Sequence, residues 1–86
     1  AGLAAFELAR IRLRSLNDPK AALEAFDFAL QRNRGGFFTE DARAGRVEAL
    51  ATIGDAAACR AARGAFLERH PDSPHARRIK KLCPAR

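Results

Sequence analysis

Residues 17–30, Asn17-Asp-Pro-Lys-Ala-Ala-Leu-Glu-Ala-Phe-Asp-Phe-Ala-Leu30, decide the fold. Asp18 followed by Pro19 reads as a helix start: a carboxylate N-cap, then a proline at the first helical position, where its missing N–H costs nothing. Beyond it, Ala22, Ala25, Phe26, Ala29 and Leu30 recur at the three- and four-residue intervals of one helix face. Small residues dominate that face, which predicts close helix contact beside one large side chain rather than a thick aromatic layer.

The same reading extends in both directions. Upstream, Leu3, Phe6, Ala9, Leu13 and Leu16 share a stripe, with Glu7, Arg10 and Arg14 mostly off it, predicting a helix over about Leu3 to Leu16. The helix opened by Pro19 runs to about Asn33, where Gly35 and Gly36 stop it. Phe37 and Phe38 follow in the connection, and at least one of them is expected to plug the gap between neighbouring helices. Thr39 reads as the N-cap of a third helix, with Glu40 and Asp41 in its first turn, where the macrodipole favours negative charge. Its apolar side is Ala42, Val47, Ala49, Leu50 and Ile53, and Gly54 ends it. Asp55 caps a fourth helix over about Ala56 to Arg69, with Cys59, Ala62, Phe66 and Leu67 inward. Pro71-Asp-Ser-Pro74 then turns the chain into a short fifth helix, capped by Ser73, opened by Pro74, edged by Ala76, Ile79 and Leu82 and stopped by Pro84.

No segment alternates as a strand does, and every connection is short. The expected class is all-α, with about five helices in antiparallel hairpins, in a single domain over residues 1–86. The composition fits: 86 residues, 48% hydrophobic, six Phe, no Trp, Tyr or Met, and sixteen Lys+Arg against ten Asp+Glu for a net charge of +6. So thin a core leaves no room for a deep enzymatic cleft. No run approaches the ~20 apolar residues of a membrane span, so no transmembrane segment is expected. The chain opens at Ala1 in what reads as mid-helix, as a processed fragment would. Glu7, Arg10, Arg12 and Arg14 exclude a secretory apolar region there.

The Asn17-Asp18 and Gly54-Asp55 turns lie 37 residues apart, a helical-repeat period. The repeats run over about 3–36 and 39–72, followed by a capping helix over about 74–83. Here the chain resembles the tetratricopeptide repeat family. Residues 17–30 are close to that family's second-helix consensus, and Phe6, Ala9 and Leu13 precede them where its first helix places packing residues. Residues 54–76, with Phe66-Leu67 near the helix end and then His-Pro-Asp-Ser-Pro-His-Ala, are similar to repeats of bacterial cell-envelope proteins. The sequence departs from the pattern at Arg10, Arg34 and Arg63. The resemblance implies a right-handed solenoid whose concave face is lined by the first helix of each hairpin: Glu7, Ile11, Arg14 and Ser15, then Glu48, Ala51 and Thr52. It implies protein–protein interaction or scaffolding, with a peptide segment or helix of another protein as ligand. The lysine and asparagine set with which some members clamp chaperone carboxylates is absent from those positions.

Cys59 and Cys83 lie about twelve residues either side of the turn centred on Asp72, which at ~1.5 Å per residue places both roughly 18 Å from it on adjacent helices. A disulfide is allowed if their Cβ atoms face, and it would staple the slight last helix with on the order of 3 kcal/mol. The alternative is two unpaired thiols, one buried and one at a frayed end. A bridge implies an oxidising, periplasmic or otherwise extracytoplasmic compartment, and free thiols a cytoplasmic one. A zinc site from Cys59, His70, His75 and Cys83 is rejected, because the histidines flank the turn while the cysteines lie at the far end; the histidines read as surface groups.

No phosphate loop, nucleophile elbow or carboxylate–histidine constellation is present, so neither catalysis nor a cofactor is expected. Glu7 with Arg10, and Glu24 with Asp27, read as solvated helix faces. Arg77, Arg78, Lys80 and Lys81, with Arg86, form a basic patch. As a nucleic-acid-binding helix it is the alternative functional reading, weakened by a two-proline turn and by the lack of base-reading residues. An acidic envelope polymer is a further partner that this charge allows.

Overall fold

The computed structural model describes residues 2–14, 17–32 and 37–83. Every regular element among them is a helix: α1 (Gly2–Arg14), α2 (Pro19–Arg32), α3 (Thr39–Ile53), α4 (Ala56–Arg69) and α5 (Ala76–Lys80). The all-α expectation holds, and none of these helices is long and apolar enough to cross a membrane. The ends predicted at Leu16, Asn33, Gly35–Gly36 and Pro84, together with Arg34 and Arg86, lie outside the described residues.

The local signals act as the sequence predicts at several ends. Asp18 Oδ1 accepts from the Ala21 N–H at 3.2 Å and so caps α2. Gly54, at φ 92°, closes α3 in the left-handed region that glycine enters without a Cβ penalty, and its N–H reaches the Leu50 carbonyl. Asp55 Oδ1 then accepts from the Ala58 N–H at 3.1 Å to start α4.

Two predicted caps do not form. Phe38 occupies the N-cap of α3, because its own carbonyl accepts from the Ala42 N–H at 2.8 Å and the helix begins one residue early. Thr39 is thereby turned inward, and its buried Oγ1 has no hydrogen-bond partner among the described residues. Ser73 caps a turn rather than a helix: its Oγ accepts from the His75 N–H and its carbonyl from the Ala76 N–H, so Pro74 and His75 stay in the turn and α5 begins at Ala76. The capping segment is therefore one short helix, and Cys83 lies beyond it at φ 72°.

Each helix packs on its neighbours in the chain, and α3 also touches α1 and α5. One core cluster joins α1, α2 and the start of α3. Phe6 stacks on Phe38 at 5.1 Å and tilts against Phe26 at 6.2 Å, with Ala9, Ala22, Ala29 and Ala42 between the helices. Of the adjacent phenylalanines, Phe38 is the plug at 1% exposed, while Phe37 is 83% exposed. A second cluster joins α3, α4 and α5 through Val47, Leu50, Cys59, Phe66 and Ile79, with Ala62, Leu67 and Leu82 at its edge. Leu3, placed on the inward stripe of α1 by the sequence, is exposed, and Ile53 at the end of α3 is half-buried.

The C-terminal segment is fastened at several points. Of the two states the sequence leaves open for Cys59 and Cys83, the structure has the disulfide, with Cα atoms 5.6 Å apart. Beside it the Arg63 guanidinium donates to the Leu82 carbonyl at 2.8 Å. A five-residue helix buries little surface, and these two bonds fix the non-helical residues that follow it.

Candidate functional site

The contacts of α3 with both α1 and α5 create a groove of about 210 Å³ across those three helices. Its floor is narrow: half-buried Leu13 of α1 beside Phe6 and Phe26, which are 6% and 1% exposed and show little of their rings, and the backbone of α3 at Gly45. Gly45 is what lets the floor form. A Cβ there would stand 2.6 Å from Phe26 Cε1 and 2.8 Å from Cε2, so the ring rests directly on the helix backbone.

Charged side chains of both signs line the rims. On α1, the Arg10 guanidinium lies 5.7 Å from the Phe6 ring centroid and pairs with Glu7 at 3.1 Å. On the opposite rim, Asp41 and Glu48 of α3 receive residues of the C-terminal segment. His75 Nε2 lies 2.6 Å from Asp41 Oδ1, and Arg78 Nη2 donates to Glu48 Oε2 at 2.7 Å. Arg78 also lies 3.3 Å from His75 Nδ1, which joins the two pairs into one network. One wall of the groove is thus built from residues held in place by the disulfide beyond them.

Of the concave-face residues expected from the sequence, Glu48 lines the groove and Glu7 sits beside its lip as the partner of Arg10. Ile11 is exposed on α1. Ala51 packs against the second core cluster, and Thr52 turns its hydroxyl back to the Glu48 carbonyl at 2.9 Å. Ser15 and the Arg14 side chain lie outside the described residues. Arg10, Asp41, Gly45 and His75 also line the groove, and the sequence does not mark them. Their partners are up to 34 positions away, and no local periodicity marks them.

Three further expectations change. The histidines are not free surface groups: His70 lies against Phe66 at 5.1 Å with Arg43 Nη1 3.2 Å from its Nε2, and His75 holds Asp41. Asp27 is not merely solvated, since it accepts from Arg46 Nε of α3 at 2.6 Å. The basic patch is divided, with Arg77, Lys80 and Lys81 exposed while Arg78 is engaged by Glu48. Among the described residues no cluster of histidine, cysteine and carboxylate side chains is arranged to hold a metal, and the bridged cysteines offer no thiolate to one.

Comparison with protein-family models, with curated proteins and with solved structures finds no match to this chain.

Proposed function

We propose that this chain is a non-enzymatic, tetratricopeptide-like interaction module of a bacterial cell-envelope protein, and that it takes an extended or helical segment of another protein into the α1–α3–α5 groove. The observation that carries this reading is the groove itself. A narrow floor, half-buried Leu13 with the largely covered Phe6 and Phe26, is bordered by Arg10 on one side and by Asp41, Glu48, His75 and Arg78 on the other. Apolar side chains of a ligand would lie on the floor while the rims meet its polar groups, the usual division of labour in peptide recognition. The Cys59–Cys83 bridge supports an oxidising compartment such as the periplasm.

Selection from a random peptide library tests the reading. Selected peptides are expected to bind the oxidised protein and to lose affinity on Arg10→Glu, which reverses charge on an exposed rim residue. Peptides whose binding ignores that substitution would contradict it. So would duplex DNA bound tightly with a steep fall of log affinity against log salt.

A further inference from the structure

On the face of α3 turned away from the groove, a second cleft of about 210 Å³ opens between α2 and α4. Asp41, Gly45 and Glu48 line the first groove while Arg43 and Arg46 line the second, as ~3.6 residues per turn places them on opposite sides of one helix. Leu30, Ala62, Ala65 and Phe66 give this second cleft an apolar surface, and Arg69 closes it from α4.

Its charges are not balanced. Arg46 is neutralised by Asp27. Arg43 is not: its guanidinium meets His70 Nε2 at 3.2 Å, and the other ring nitrogen of His70 lies 3.8 Å from Glu40. An imidazole carries no negative charge, so this contact supplies Arg43 with no compensating charge. Arg69 has no ion-pair partner among the described residues, although Glu40 and Asp72 border the neighbouring loop cleft that it also lines. Burial holds the Arg43 guanidinium below its ordinary value, and the positive charge of Arg69 lowers it further. Two unneutralised guanidinium groups thus share one partly apolar cleft that contains no carboxylate.

We propose that this cleft binds a phosphate monoester, with Arg43 and Arg69 on the phosphoryl oxygens and the hydrocarbon part of the ester against Leu30, Ala62 and Ala65. A dianion answers two uncompensated positive charges, where a carboxylate answers only one, and arginine presents the planar donor fork that phosphate oxygens accept. The volume is suited to a ring-sized body, since a cavity of ~150 Å³ already admits benzene. The inference concerns a different face of α3 from the peptide groove and does not depend on it.

Calorimetric titration of the oxidised protein with phenyl phosphate tests the proposal. One saturable site is expected, with weaker binding of inorganic phosphate, which has no body to lay on the apolar wall, and of benzoate, which carries one charge. Arg43→Met and Arg69→Met keep the hydrocarbon stems and should each lower affinity about tenfold or more, the scale of a lost charge-assisted contact. Arg69 is exposed, so its substitution leaves the fold intact, and Arg77→Met on the basic patch should change nothing. Flotation with phosphatidic acid vesicles, lost on Arg69→Met, would assign the phosphate to a lipid headgroup; binding of phenyl phosphate without flotation would assign it to a soluble ester. Absence of saturable binding to both probes would overturn the proposal. Affinity unchanged in Arg43→Met and Arg69→Met would do the same, as would benzoate binding as tightly as phenyl phosphate.

Discussion

The Phe26 ring of α2 rests on the backbone of α3 at Gly45, the position where α3 has no side chain to keep it away. That contact sets how closely the two helices approach and forms the floor of the α1–α3–α5 groove. A glycine inside a helix costs about 1 kcal/mol against alanine, so its presence at this point needs a packing reason, and the ring supplies one.

Gly45→Ala is therefore expected to destabilise, although alanine is the better helix former. Phe26 is 1% exposed and packed against Phe6, so displacing its ring disturbs the first core cluster. Overpacking of about 1–3 kcal/mol outweighs the propensity gain. Gly64 in α4 is the control, because a Cβ there would meet nothing within 4 Å, and Gly64→Ala should stabilise by about 0.5–1 kcal/mol. Denaturant midpoints at unchanged slope measure both, and opposite signs are required.

Removing the bridge should loosen one end of the molecule before the rest. Cys59→Ala with Cys83→Ala is expected to cost on the order of 3 kcal/mol, for a bridge closing 24 residues. The contacts Arg78–Glu48 and His75–Asp41 cannot replace it, since partly exposed polar pairs of this kind contribute only about 0–1 kcal/mol each. Amide exchange should rise first in α5 and the loop before it, with α1 and α2 still protected. Uniform acceleration through all five helices would show that the staple acts globally instead.

Thr39→Val should raise stability by about 1 kcal/mol. The substitution keeps the shape of a 6% exposed side chain and removes a buried hydroxyl that has no partner among the described residues. A loss of stability on thermal melting would mean that the hydroxyl is satisfied in solution.

How much of this was legible in the sequence follows from the range of each interaction. Helix α4 was readable to the residue, because both its boundaries are written within a few positions: Asp55 caps it, and Pro71 follows its end at Arg69. Gly54 is readable for the same kind of reason, being local chemistry, whereas the sequence offers the Cys59–Cys83 bridge as one of two states and a plug at Phe37 or Phe38 without saying which. Thr39 misled, since a good capping residue was displaced when the demand to bury Phe38 moved the helix start back by one residue. The groove was only partly legible. Glu48 was identified, but Arg10, Asp41 and His75 join it through packing between distant segments, and nothing near them in the chain announces the contact. Gly45 was silent because only the neighbouring helix explains it.

In the proposed function, a segment of another protein occupies the α1–α3–α5 groove. Nuclear magnetic resonance mapping of a selected peptide on the labelled, oxidised protein reads that occupancy residue by residue. Shift changes are expected to concentrate at Phe6, Arg10, Gly45, Glu48 and Arg78, around Leu13 and Phe26. Changes confined to the exposed Leu8 and Phe28 side of the first hairpin, or to Arg77, Lys80 and Lys81, would contradict it.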